Sequence, residues 1–225
     1  MHTYLITGAN RGLGLEMCRQ LLERGQKVIA TCRDPDSAEG LNSMRGNLDI
    51  HALDVADERS IIALSEELRT VTVDVLINNA GVMAAEQNID NMSRQQWMHS
   101  FVVNCIAPWQ MTVAFHDQLK RSSVPRAITL TSQMGSLERA GSDRAAYRSS
   151  KAAANMALRT LAIAWQDKGI PVCMLHPGWV KTDMGGQQAD LTIAQSTKDM
   201  LEVIDQLTME HTGRFLDYRG AEIPW

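Results

Sequence analysis

The sequence predicts a doubly wound α/β fold, a sheet of about seven parallel strands with helices on both faces. Three observations lead to it. Short β-branched and apolar runs recur along the chain, segments of helical period alternate with them, and the first strand-to-helix turn is rich in glycine. Strand followed by helix, repeated, gives parallel strands, and right-handed crossovers place helices on both faces. Ligands of such a sheet bind beyond the carboxyl ends of its strands, so chemistry is expected at the strand-to-helix turns.

Strands are expected at 3–7, 27–32, 48–53, 73–78, 126–132, 170–175 and 214–217. Helices are expected at 13–24, 58–70, 93–121, 144–167 and 192–209, with a weaker one at 37–44. The 225 residues suit one domain, 1–225, because no linker, composition break or internal repeat divides them. A net charge of -4, with Lys and Arg scattered among acids, argues against a nucleic-acid partner. No apolar run reaches the roughly 18 residues of a membrane span, and the chain enters its first strand without a signal-like segment. A soluble, cytoplasmic protein is expected. Cys18, Cys32, Cys105 and Cys173 are far apart in apolar surroundings, so neither a disulfide nor a metal site is expected. Asn91-Met-Ser93 matches a glycosylation pattern, read as chance in that compartment.

The first turn reads Thr7-Gly8-Ala9-Asn10-Arg11-Gly12-Leu13-Gly14. Glycines permit a tight turn and let backbone N–H groups and a helix N-terminus approach a pyrophosphate, although the spacing differs from G-x-G-x-x-G and an ordinary Gly-rich turn is the alternative. The second strand ends Cys32-Arg33, with Cys where an NAD-binding acid would stand. Arg33 and Arg11 together suit a 2′-phosphate, favouring NADP, while Asp34 keeps NAD open should the strand end a residue later. Further on, Tyr147 and Lys151 lie four apart in a helical run and project from one face. A cation beside a phenol favours the phenolate and makes a proton-transfer pair; an amphipathic helix with a solvated Lys is the plain alternative.

Asp54-Val55 after the third strand, Asn78-Asn79-Ala80-Gly81 after the fourth, Asn104, Ser132, Tyr147 with Lys151, and Pro177-Gly178-Trp179-Val180-Lys181-Thr182 follow in order. Together with the glycine turn they closely resemble the short-chain dehydrogenase/reductase family over essentially the whole chain. The resemblance implies a Rossmann-like, nicotinamide-dependent oxidoreductase. In it Ser132 binds the substrate carbonyl and Tyr147 donates the proton. Lys151 lowers the phenol pKa and binds the ribose, and Asn104 holds a water that links Lys151 to solvent. It also implies dinucleotide contacts from Gly8, Asn10, Arg11, Gly12, Leu13, Gly14, Arg33, Asp54, Val55, Asn79, Ala80, Gly81, Tyr147 and Lys151. The loop Pro177, Gly178, Trp179, Val180, Thr182 would close over the nicotinamide. Structural roles stand beside these: Asn78 and Asn79 as sheet and turn residues, Asn104 as a partner of helix backbone. Thr131 and Ser136 compete with Ser132, but Ser132-Gln-Met-Gly135 matches the family pattern. His176 reads as a pocket-wall residue, and Trp179 and Met184 as lining the substrate side.

The gap from Ser132 to Tyr147 is slightly long for the family, and only 183–191 is available for a substrate lid, which implies an open pocket. The length and the ending Gly213 to Gly220 resemble short carbonyl reductases and C-factor-type signalling proteins. An NADPH-dependent reductase of a small-molecule ketone or aldehyde is the favoured function, and a cofactor-binding signalling protein with slow chemistry is the rival. A serine hydrolase is disfavoured because no Gly-x-Ser-x-Gly occurs, and an epimerase because the chain has no room for its substrate region. The resemblance also implies a homodimer or homotetramer through helices 93–121 and 144–167.

Overall fold

Seven parallel strands form one sheet in the order β3-β2-β1-β4-β5-β6-β7 in the computed structural model, which describes residues 1–84 and 89–225. They are β1 Thr3–Ile6, β2 Lys27–Cys32, β3 Leu48–Ala52, β4 Val75–Asn78, β5 Arg126–Leu130, β6 Val172–His176 and β7 Phe215–Asp217. The helices are α1 Gly12–Glu23, α2 Glu39–Asn42, α3 Glu58–Glu67, α4 Arg94–Phe101, α5 Ala107–Ala114, α6 His116–Lys120, α7 Ala145–Ala164 and α8 Ile193–Gln206. Pairing on β6 starts two residues later than expected because Pro171 has no N–H to give the ladder; its carbonyl instead accepts from Ala127 at 2.9 Å.

Alternate strand residues serve two cores. Tyr4, Ile6, Val28, Ala30, Val75 and Ile77 face Met17, Leu21, Met200 and Ile204 of α1 and α8. Leu5, Ile29, Leu76, Val172 and Met174 face Ile61, Met111, Phe115, Leu158 and Leu161 of the helices on the other face. Every strand in the centre is therefore buried on both sides, which is why these strands read as continuous apolar runs. Strand order reverses between β1 and β4, and the turns after these strands open the crevice where a doubly wound sheet binds ligands.

The continuous helix expected over 93–121 is instead α4, a π-helical turn at Val102–Ile106, α5 and α6. Pro108 supplies the reason. Four residues beyond Asn104, it has no N–H to offer the Asn104 carbonyl, and Ala107 N–H reaches back five residues to Val102. Asn104 thus sits inside the widened turn, with its side chain fully buried.

Candidate active site

The turn after β1 is built by contacts that exclude side chains. Gly8 has φ +64°, and a Cβ there would lie 2.9 Å from Ala80 Cα. A Cβ on Gly14 would lie 2.5 Å from the Gly8 carbonyl oxygen and 2.6 Å from Asn79 Nδ2. Asn79 closes the turn by donating from Nδ2 to the carbonyls of Thr7 (2.8 Å) and Gly8 (2.9 Å). Thr7 Oγ1 accepts from the N–H groups of Asn79 and Ala80 at 3.1 and 3.0 Å. Gly14→Ala is expected to destabilise the protein by about 1–3 kcal/mol, the usual cost of forcing atoms into a packed site, and to abolish dinucleotide binding. Urea unfolding with a fluorescence titration checks both, and unchanged binding would refute the assigned cradle.

Arg11, the N-cap of α1, makes no side-chain capping hydrogen bond, so no cap side chain claims the first-turn N–H groups that an anion would satisfy. Asn10 is exposed, and Leu13 packs on the core under α1. Arg11 Nη1 bonds Asp183 Oδ2 at 3.3 Å, both side chains being well exposed. At the end of β2, Cys32 is buried and Arg33 exposed. The carboxylate of Asp34 is taken by the N–H and hydroxyl of Ser37, so the acid that kept NAD open is engaged within its own loop. Asp54 Oδ1 accepts from Ala56 N–H at 2.9 Å, while Val55 is half-buried beside the core.

Ser132, Tyr147, Lys151 and Asn104 are all buried and lie together at the carboxyl end of β5. The Ser132 hydroxyl lies close enough to the Tyr147 phenol to pull its pKa down, and Ser132 Oγ accepts from Met134 N–H at 3.1 Å. The competing hydroxyls have other surroundings: Ser136 Oγ accepts from Arg139 N–H at 3.2 Å, and Thr131 Oγ1 is buried with no partner among the described residues. Lys151 Nζ donates to the Leu130 carbonyl at 2.8 Å and sits 5.8 Å from the Tyr147 ring centroid. Asn104 Oδ1 accepts from Val82 N–H at 2.8 Å, and its Nδ2 donates to the Val82 carbonyl at 2.8 Å and to Ser150 Oγ at 3.0 Å. Its side chain therefore pins the strand-exit segment. A Cβ on Gly81 would lie 3.3 Å from Asn104 Oδ1 and 3.6 Å from Lys151 Nζ. Asn78 is a sheet residue, donating to Pro108, Thr112 and Thr129 within the core.

The electrostatics correct one expectation. Burial pushes the Tyr147 phenol up, against opposing pulls from the Ser132 hydrogen bond and the Arg144 charge, rather than down toward neutral pH. Burial also lowers Lys151 to about 8. Both shifts have one cause, a site where any charge is poorly solvated. The resting phenol is thus neutral, the form that can give a proton.

The short chain dehydrogenase family model matches residues 2–204. The chain belongs to this family. Among curated relatives, the C-signal of Myxococcus xanthus is 42% identical over 165 residues, covering 72% of this chain and 99% of the relative. Among solved structures, an NADPH-bound carbonyl reductase from chicken fatty liver is 36% identical with a TM-score of 0.91, covering 100% of this chain and 99% of that one. The carbonyl reductase Sniffer of D. melanogaster is 30% identical with a TM-score of 0.93 over 100% of both chains.

In this short-chain dehydrogenase the loop after β6 and its short lid form one pinned unit. Val180 pairs with Leu191, Lys181 N–H donates to the Leu191 carbonyl at 2.9 Å, and Leu191 N–H to the Trp179 carbonyl at 3.0 Å. Ser196 Oγ of α8 holds the Pro177 carbonyl at 2.6 Å. Gly178 packs under Leu191 and Tyr218, and a Cβ on Gly12 would lie 3.9 Å from Thr182 Cγ2, so this loop reaches the glycine turn. Trp179 and Met184 are 48% and 41% exposed, which leaves the outer side open. Sequence reading missed four supporting groups: Thr7 Oγ1, Ser150, the Leu130 carbonyl and the Arg11–Asp183 pair. None of the four leaves a mark in the sequence, whereas the π turn at Val102–Ile106, also missed, had one in Pro108 inside a helical run.

Proposed function

We propose that this protein is an NADPH-dependent reductase of a small-molecule ketone or aldehyde, with residues 1–225 acting as one domain. The observation that carries the reading is the buried Tyr147 phenol, neutral, with the Ser132 hydroxyl acting on it and Lys151 Nζ 5.8 Å from its ring centroid. The cradle fits a dinucleotide: uncapped N–H groups at α1, and glycines where any Cβ would collide. Bound there, the nicotinamide supplies a hydride to the substrate carbon. Ser132 donates to the carbonyl oxygen, and Tyr147 gives its proton to that oxygen as negative charge builds there. Lys151, titrating near 8 and so still mostly protonated at neutral pH, stabilises the phenolate left behind. Asn104 fixes Val82, while its carbonyl, which Pro108 offers no N–H, accepts from a water that returns the proton through Lys151.

For the cofactor, Gly8, Asn10, Gly12, Leu13, Gly14 and Asn79 to Gly81 surround the pyrophosphate, Asp54 and Val55 the adenine, and Tyr147 and Lys151 the ribose. Pro177, Gly178, Trp179, Val180 and Thr182 flank the nicotinamide. Arg11 and Arg33 receive the 2′-phosphate, supported by the engagement of Asp34 with Ser37 and by the NADPH bound to the chicken enzyme. The double variant Arg11→Ala, Arg33→Ala is expected to weaken NADPH binding by about 10- to 100-fold, the loss of two charge-assisted contacts, and to leave NADH binding nearly unchanged. Fluorescence titration measures this; equal losses for both cofactors would refute the assignment. Oxidation of NADPH with a panel of aldehydes, diketones and quinones tests the reaction itself.

A second reading, favoured by the 42% identity to the C-signal, is a signalling or interaction protein whose chemistry is incidental. A cellular phenotype unchanged by Tyr147→Phe would select it. No helix of the described residues is long and apolar enough to cross a membrane. The four cysteines are free and buried, which supports placement in the cytoplasm. Self-association through α4, α5 and α7 is proposed from the exposed Met98, Trp109, Met156 and Ile163 on them, and sedimentation tests it.

A further inference from the structure

Beside the candidate active site lies a cavity of about 310 Å³ at the carboxyl ends of β6 and β7, large enough for a small ligand arm. It borders the reacting groups through Gln133, next in sequence to Ser132, and through Trp179 of the loop after β6. Its wall contains His176, 8% exposed, whose Nδ1 has no hydrogen-bond partner among the described residues. A buried ring nitrogen left unpaired costs stability unless something completes it. Burial lowers the imidazole to about 4, with Asp217 opposing and Arg139 assisting, so the ring is neutral at physiological pH and presents a lone pair as acceptor.

The remaining polar groups favour a donor with positive charge. Three carboxylates line the cavity, those of Asp190, Asp217 and Glu222, against one guanidinium, Arg139. Glu222 is neutralised by Arg214 at 2.8 Å, and Arg139 Nη1 is given to Gln133 Oε1 at 2.9 Å. Asp217 Oδ1 accepts from the N–H groups of Arg219 and Ala221 at 2.9 Å, which leaves its second oxygen without a hydrogen bond or ion pair among the described residues. Asp190, exposed on the lid, makes no ion pair among the described residues. We propose that this cavity is a substrate subsite for a protonated amine, in which Asp217 and Asp190 balance the charge and the His176 ring accepts an N–H. The inference rests on the carbonyl-reductase reading and deepens it: the preferred substrates are carbonyl compounds with an ammonium arm.

The test compares three aldehydes of similar shape: 4-(dimethylaminomethyl)benzaldehyde, protonated at neutral pH, its neutral isostere 4-isobutylbenzaldehyde, and 4-formylphenylacetate. The expected result is a kcat/KM for the ammonium compound about tenfold above the neutral one, in line with a partly desolvated charge pair, and lower still for the carboxylate. Asp217→Asn should remove the preference while turnover of the isobutyl compound stays the same. Because Asp217 also holds the turn to Ala221, Asp190→Asn on the exposed lid serves as a second variant and should reduce the preference without touching that turn. No preference, or preference for the carboxylate, overturns the proposal. Should none of the three be turned over, the reductase reading fails for these compounds, and calorimetric titration of the amine decides the subsite separately. Saturable binding weakened in Asp217→Asn supports it, and absence of binding overturns it.

Discussion

Replacing Tyr147 by Phe is expected to lower kcat for every carbonyl substrate by about 10³-fold, within the range for loss of a positioned general acid, with little change in NADPH affinity. The substitution removes one oxygen from a side chain that is otherwise held by the packing of α7. Its ring stays where it is, and Lys151 keeps its bond to the Leu130 carbonyl. What disappears is the proton donor, the hydroxyl on which Ser132 acts. A Ser132→Ala variant should cost less, because the phenol that remains still reaches the carbonyl oxygen. Stopped-flow measurement of NADPH oxidation, alongside a binding titration, separates the two effects. A Phe variant that turns over at near wild-type rate would remove Tyr147 from the chemistry.

Lys151→Met carries the second large effect, and its two consequences have opposite sign. Turnover is expected to fall by roughly 10²-fold or more, because the phenolate formed on proton transfer loses its neighbouring cation. Stability of the cofactor-free protein at neutral pH is expected to rise. Burial holds the Lys151 pKa at about 8, against roughly 10.4 for a free lysine, a difference on the order of 3 kcal/mol against the folded state. Part of that gain is lost again because the Leu130 carbonyl is left without its donor, so a net rise of about 2 kcal/mol is expected. The sign with pH follows from linkage. The folded pKa is depressed, so the native state binds fewer protons than the unfolded chain between about 8 and 10.4, and wild-type stability from this group rises with pH through that window. Below 8 the full cost is present. The advantage of Lys151→Met should therefore be constant below about pH 8 and shrink above it, which urea unfolding at several pH values measures. An advantage that grows with pH would refute the buried-cation account.

Much of this architecture could be read from residues. The alternation of strand and helix, the glycine turn and the spacing of Tyr147 and Lys151 each reflect a local constraint: a two-sided buried strand, a backbone approach closer than a Cβ permits, a helix face. These leave marks at single positions or fixed intervals, and the seven strands and their parallel pairing follow from them, whereas the grouping of Ser132 and Asn104 with Tyr147 and Lys151 was implied only by the family resemblance. What could not be read was set by distant partners. The helix over 93–121 looks continuous by period, yet one missing N–H at Pro108 shifts its ladder at Asn104. The direction of the Tyr147 shift depends on how deeply α7 is buried, which no pair of residues four apart encodes. Asp34 was ambiguous in sequence because its role turns on whether Ser37 captures it, a matter of loop geometry. The polar cavity behind Trp179 collects residues from 133 to 223, too far apart for any motif.

The central claim is that the chain reduces a carbonyl with hydride from NADPH and a proton from Tyr147. The most direct measurement is turnover with NADPH deuterated on the transferred face of the nicotinamide, using whichever panel aldehyde or diketone reacts fastest, with the product examined by mass spectrometry. The account predicts an alcohol bearing one deuterium on the former carbonyl carbon, formed by the wild type and almost absent with Tyr147→Phe. Tight NADPH binding with no labelled alcohol from any carbonyl tested would contradict it and leave the signalling reading in its place.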